Sequence, residues 1–139
     1  MTPEENALGN LPSTDDIYEI AARILRDLPS PFAESLYTIN LSVEETADAN
    51  TARQLGVDDR MRVQGLYRGL PLIDRSFSLS GQRARYPERI ILYRQPILAQ
   101  WQSTPNSLEQ IITHIVIHEV GHHFGFTDDD MNALEDGEE

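Results

Sequence analysis

The chain has 139 residues, with 23 acidic residues against 11 arginines and with no lysine or cysteine, so its net charge is −12 at pH 7. This length suits one domain with its own core, and a hydrophobic content of 40% excludes wholesale disorder. The acidic balance argues against nucleic acid or an anionic membrane as the main partner. The lack of cysteine excludes disulfides, thiolate metal ligands and a thiol nucleophile.

The first residues are polar and acidic, without the basic and apolar pattern of a leader peptide. The longest aliphatic run near the end, Ile115–Ile117, is far shorter than a membrane span. We therefore expect a soluble, cytoplasmic protein. The sequence does not indicate the oligomeric state, and a monomer is the default expectation. Residues 53–94 are net basic, whereas 1–52 and 95–139 are net acidic. Two interpretations stay open: a solvated surface, or a basic middle that faces an acidic surface in the fold.

The first half predicts one helix followed by strands, with residues 1–12 as a loose tail. Three residues are N-cap candidates, namely Ser13, Thr14 and Asp15. They precede a helix whose apolar residues recur at helical spacing: Ile17, Ile20, Ala21, Ile24, Leu25 and Leu28. Strict alternation predicts a strand at 37–43, and one helical turn is expected at 51–55. A second strand is expected within 62–72, with a hairpin extended through Phe77 and Leu79. A short strand at 89–93 is apolar enough to be covered on both faces.

The second half predicts a helical turn at 96–101 and then the longest helix. Ser107 and Gln110 have the spacing of a capping box, and the helix runs to about Phe124. Gly125 follows as a left-handed stop. A last short helix contains Met131 and Leu134 and ends the domain at 134, leaving 135–139 as an acidic tail. The order of elements predicts an α+β domain, 13–134, with one small sheet.

The long helix contains His118-Glu119-Val120-Gly121-His122 near its end. Four residues rotate a helix by about 400°, so His118 and His122 lie on one face and can bind one metal ion. Glu119 lies about 100° away from His118, where its carboxylate can take a proton from a water molecule on the ion. The plain alternative is two surface histidines near a helix C-terminus, where a positive charge is favourable.

A catalytic zinc site usually has three protein ligands, and the sequence offers Asp128 as the third. The motif then reads His-Glu-x-x-His-x-x-Gly-x-x-Asp, in which Gly125 lets the chain turn back toward the ion. Two nitrogens and one carboxylate oxygen are ligands that suit a single Zn²⁺ ion, and the same ligands could also bind another divalent metal. His114 extends the histidine row by one turn but is too far to share that ion, so we expect a supporting or surface role.

Other polar residues are candidates for stabilising the reaction or binding the substrate. His123 points about 100° from His122 and is expected at the surface or core edge. Tyr67, Tyr86 and Tyr93 could each donate a hydrogen bond to a developing oxyanion, although a half-buried structural tyrosine is the plainer interpretation. Arg89 or Arg94 could bind a substrate carboxylate, or could be ordinary surface charge. If the 90–93 strand is a sheet edge, an extended peptide could add to it.

The sequence resembles the small bacterial zincin-like metallopeptidases, over roughly residues 17–134. The resemblance is carried by segments 22–29, 65–72, 87–94 and, most specifically, 118–125. It implies a minimal zincin fold, with a small mixed sheet packed on an N-terminal helix and a long active-site helix. It also implies metal at His118, His122 and Asp128, with Glu119 as the base.

The leading hypothesis is thus a zinc-dependent hydrolase acting on a peptide or protein substrate. An alternative is a metal-binding regulatory or interaction protein without turnover, and a third is a processing protease with a single target. Tyr93, Arg94 and His114 are retained as candidates for substrate contact or support of the site.

Overall fold

A computed structural model describes residues 11–29, 39–69 and 88–125. The described elements are four α-helices, a three-stranded sheet and one 3-10 turn. In chain order they are α1 Thr14–Arg26, β1 Ile39–Glu44, α2 Ala49–Gln54, the 3-10 turn Arg60–Arg62, β2 Gly65–Arg68, β3 Glu88–Tyr93, α3 Arg94–Ser103 and α4 Leu108–His123. The predicted α+β class with one small mixed sheet is confirmed.

Helix α1 begins where the capping residues predict. The Ser13 hydroxyl accepts a hydrogen bond from the Asp16 backbone N–H at 3.0 Å, and the Asp16 carboxylate accepts one from Ser13 N–H at 2.9 Å. These reciprocal bonds satisfy two N–H groups that a helix start leaves unpaired. The predicted apolar stripe is buried at Ile17, Ile20, Ala21 and Leu25, so α1 packs one face on the core.

The sheet has the strand order β1-β3-β2, with β3 in the centre. Strand β1 pairs parallel to β3, with Leu41 opposite Ile90, and β2 pairs antiparallel, with Tyr67 opposite Ile90. The hypothesis that β3 forms a sheet edge is therefore wrong. The physical reason is visible in its composition, because an apolar run needs cover on both faces and its backbone groups need partners on both sides.

The two faces of the sheet are covered unequally. Helices α1 and α4 pack on one face, against a core that includes Ile90 and Leu92 of β3. A smaller cluster covers the opposite face and contains Ala47, Val63, Ile91 and Tyr93. The expectation that both faces of β3 are covered is confirmed, and alternation along the strand decides which side chain meets α4.

Helix α3 is longer than the single turn that the sequence suggested, since it spans Arg94–Ser103 directly after β3. The sequence does not indicate that the helix begins at Arg94, because Pro96 resembles a helix break. Proline is nevertheless tolerated in the first turn, where the N–H groups lack helical partners. Pro96, Ile97 and Leu98 are buried, so tertiary packing extends the helix.

Helix α4 has both of its predicted ends. Ser107 and Gln110 form the capping box, with hydrogen bonds of 3.1 Å and 2.8 Å. The helix ends at His123, and Gly125 follows with φ +87°, a left-handed value that favours glycine. The expected helix after Gly125 and the hairpin through Phe77 and Leu79 lie outside the described residues.

Arginines of the basic middle reach acidic residues at the end of β1. Arg94 lies 3.1 Å from the carboxylate of Glu45, and Arg89 lies 3.8 Å from that of Glu44. These pairs favour the interpretation that the basic middle faces an acidic surface within the fold, although such exposed pairs add only modest stability. Across the described ranges, no helix is both long and apolar enough to cross a membrane.

Candidate metal centre on helix α4

The histidines of the motif lie side by side on α4. The ring centroids of His118 and His122 are 5.5 Å apart, and the ring planes meet at 70°. Two imidazoles that bind one tetrahedral zinc ion through nitrogens at about 2.1 Å have centroids about 5 Å apart. The pair therefore has a spacing that fits two ligands of one ion.

Burial separates the two nitrogens of His118. Its side chain is half-buried, and the Nδ1 atom has almost no solvent exposure. The Nε2 atom is then the nitrogen through which this ring would bind an ion. His122 is half-buried as well, so an ion held between the two rings would be partly shielded from water.

Glu119 lies against strand β2. A Cβ atom built on Gly65 would be 3.5 Å from Cγ of Glu119 and 2.6 Å from Cγ2 of Ile115. The absence of a side chain at Gly65 therefore lets the β2 backbone approach α4 closely at this point. Glu119 is half-buried between the helix and the strand, which restricts the positions that its carboxylate can take.

The third predicted ligand, Asp128, lies outside the described residues, so its place at the site stays a prediction. Gly125 has a left-handed φ of +87°, and its N–H donates to the His122 carbonyl at 3.0 Å; a turn of the chain back toward the ion stays a prediction. Within residues 11–29, 39–69 and 88–125, no group of three metal-binding side chains occurs. The donors that are described, two imidazoles, fit zinc, and a third protein ligand would have to come from the rest of the chain.

His114 lies one helical turn before His118 and extends the row of histidines on α4. Its ring centroid is 5.8 Å from that of His118, with 30° between the planes, and its side chain is exposed. His123 is the last residue of α4.

The tyrosines are separated by the faces of the sheet. Tyr93 is only 2% exposed and belongs to the cluster on the face opposite α4. Burial raises the pKa of its hydroxyl above the ordinary value of 10.0, and the nearby Glu44 carboxylate adds to the rise. Tyr93 therefore does not face the histidine helix. Tyr67 packs against the core on the α4 side, and its hydroxyl donates to Glu88 at 3.4 Å.

Arg94 is bound within the fold. Its Nε donates to the Pro12 carbonyl at 2.7 Å, and its Nη1 donates to the Glu45 carboxylate at 3.1 Å. These contacts tie the segment before α1 to the start of α3. Arg94 is placed to hold chain segments together, and Tyr93 lies in the cluster on the face of the sheet opposite α4.

Gly65 belongs to this site, although the sequence alone does not identify it as a site residue. In the sequence, Gly65 interrupts the alternating pattern of the strand expected within 62–72. An isolated glycine in such a pattern also signals a close approach of another element. The sequence contains that signal but cannot say which element approaches, because Ile115 and Glu119 lie far along the chain.

The two histidines of the motif thus lie on a single helix, which also contacts strand β2 of the small sheet. In a comparison with known families, residues 36–138 match the sequence profile of a family described as zincin-like metallopeptidase. This match covers most of the chain, which therefore belongs to the zincin-like metallopeptidase family. No curated protein shows a significant match to the sequence.

Proposed function

We propose that the protein is a zinc-dependent peptidase that hydrolyses peptide bonds with Glu119 as the general base. The observation that carries the proposal is the pairing of the His118 and His122 rings at 5.5 Å on a helix that also carries Glu119, whose Cγ lies next to Gly65 of strand β2. Membership of a metallopeptidase family supports the same reaction class. The proposed place of reaction is the surface of α4 that carries His118 and His122, beside β2.

The proposed ligands are His118, His122 and Asp128, holding one zinc ion or another divalent metal. When bound, the ion supplies Lewis acidity that polarises a carbonyl and lowers the pKa of water. Glu119 would accept the proton from the attacking water and deliver it to the leaving amine. The half-buried position of Glu119 beside Gly65 supports this role, because a restricted carboxylate loses less freedom when it acts.

The substrate is proposed to bind as an extended peptide along β2. Among the described residues, β2 pairs only with β3, so its other edge is the one that could receive a strand. Backbone hydrogen bonds to such an edge bind peptides with little regard to side chains. This moves the strand-addition hypothesis from β3 to β2, the strand that contacts Glu119.

The first test compares the wild-type protein with Glu119→Gln, using measured zinc content and turnover of a peptide library. We expect both proteins to bind zinc, and Glu119→Gln to lose about 100-fold or more in turnover, a usual contribution of a positioned base. Glu109→Gln, an exposed glutamate in the first turn of the same helix, is the matched control. Equal inertness of both zinc-loaded proteins would favour the non-catalytic metal-binding alternative.

The second test addresses the third ligand. Asp128→Asn should weaken zinc binding by at least about tenfold, since even residues that only support a ligand contribute that much. Asp130→Asn, two residues along, is the control. Unchanged zinc affinity in Asp128→Asn would remove Asp128 from the ligand set while leaving the paired histidines in place.

A further inference from the structure

The histidine row on α4 continues one turn beyond the two proposed ligands. The centroid separation of His114 and His118, 5.8 Å, is close to the 5.5 Å between His118 and His122. Positions four apart rise about 6 Å and turn about 40° around the helix, so the three rings form one slightly slanted row. Helix α4 therefore carries two adjacent imidazole pairs that share His118.

A single ion cannot use all three rings at once. His114 and His122 are about 12 Å apart along the axis, whereas two nitrogens on one zinc ion are at most about 4 Å apart. Because the Nδ1 atom of His118 is buried, both pairs would use its Nε2 atom. The two pairs are consequently alternative positions for one ion.

The two positions differ in their contact with solvent. His114 is exposed, whereas His118 and His122 are half-buried. An ion arriving from solution therefore meets the outer pair, His114 and His118, before the inner pair. Moving inward exchanges one imidazole for another: the bond to His114 breaks as the bond to His122 forms, while His118 stays bound.

We propose that His114 and His118 form a second, solvent-facing binding position for a divalent metal ion, through which the ion reaches the inner pair. This inference rests on the proposed assignment of His118 and His122 as ligands. His114 would contact the ion only during its passage to the inner pair and would not be a ligand in the final site. Its loss should therefore change the rate of metal binding and leave the final affinity unchanged. Because loading and release use the same path, loss of His114 should slow both by the same factor.

The rate test transfers zinc from a chromogenic chelator to the metal-free full chain and records the absorbance over time. We expect His114→Ala to load and release zinc several-fold more slowly than wild type, with little change in the dissociation constant. Thr113→Ala, its neighbour off the histidine row, is the control and should match wild type. His114→Ala loading at the wild-type rate would overturn the proposal. A weaker affinity with unchanged loading would also overturn it, since His114 would then be an ordinary ligand.

The outer pair can also be tested by itself with zinc titrations followed by calorimetry. His122→Ala removes the inner pair and should leave weak binding, and adding His114→Ala should weaken that binding by at least about tenfold. Equal affinity of the single and double variants would refute the outer position. If wild type binds no zinc, the assignment of His118 and His122 fails first. If wild type binds zinc and only the His114 effects are missing, the proposed function stands without this inference.

Discussion

Replacing Gly65 by alanine tests the contact between β2 and α4. Gly65 has no positive φ, so the backbone accepts alanine and only the new methyl group matters. That group would lie 2.6 Å from Cγ2 of Ile115 and 3.4 Å from Cδ2 of Leu92. Ile115 is β-branched, in a helix and 5% exposed, so it cannot rotate away without strain. We expect a loss of about 1–3 kcal/mol in the free energy of unfolding, as for other overpacked sites.

A double-mutant cycle shows whether crowding is the cause. Ile115→Ala removes the obstructing methyl and should cost about 2–5 kcal/mol alone. In the double variant the Gly65→Ala methyl enters the vacated space, so the combined loss should fall short of the sum by about 0.5–3 kcal/mol. The assay is urea unfolding followed by the fluorescence of Trp101, the single tryptophan, which packs against the core.

Gly56 provides the matched control. It has φ +75°, and an added Cβ would find nothing within 4 Å. Gly56→Ala should therefore cost about 1–2 kcal/mol through backbone strain alone, and that cost should add to the cost of Ile115→Ala. The reasoning is refuted if Gly65→Ala is as stable as wild type, or if its effect is simply additive with Ile115→Ala.

Three further predictions concern single side chains. Burial raises the pKa of Tyr93, so stability should be full below pH 10 and fall as the pH rises through the folded-state value; Tyr93→Phe should remove that alkaline fall in an unfolding titration. The hydrogen bond from Thr51 N–H lowers the pKa of Asp48 below 3.8, so its stabilisation is present above that value and lost as the pH falls through the folded-state value. Asp48→Asn should flatten this acid dependence, and an unchanged slope would contradict the assignment. Arg94→Ala should lower the free energy of unfolding by about 1–3 kcal/mol, through the lost bond to the Pro12 carbonyl; an altered KM with unchanged stability would instead indicate a substrate contact.

The parts of the fold that depend on local rules could be predicted. The N-terminal cap of α1, the capping box of α4 and the glycine stop at Gly125 follow from residues within a few positions of each other. The juxtaposition of His118 and His122 is similarly local, because helix geometry alone brings positions four apart together.

The parts that depend on distant partners could not be predicted. Strand β3 looked like a possible edge, yet β1 and β2 flank it. Tyr93 and Tyr67 are equivalent candidates for an oxyanion donor in the sequence. In the fold, Tyr93 lies on the face of the sheet opposite α4, whereas Tyr67 lies on the α4 side. Helix α3 was underestimated because Pro96 looks like a break unless the start of the helix is known.

The sequence by itself determined the histidine row, the adjacent glutamate and the ends of the helix that carries them. Each of these rests on interactions within one or two helical turns. Only the tertiary structure decided that β2 covers Glu119, that Gly65 permits the approach, and that Arg94 binds Pro12 and Glu45. Those contacts join residues about 50 or more positions apart, and alternation or periodicity specifies which face a residue occupies but not what it meets there.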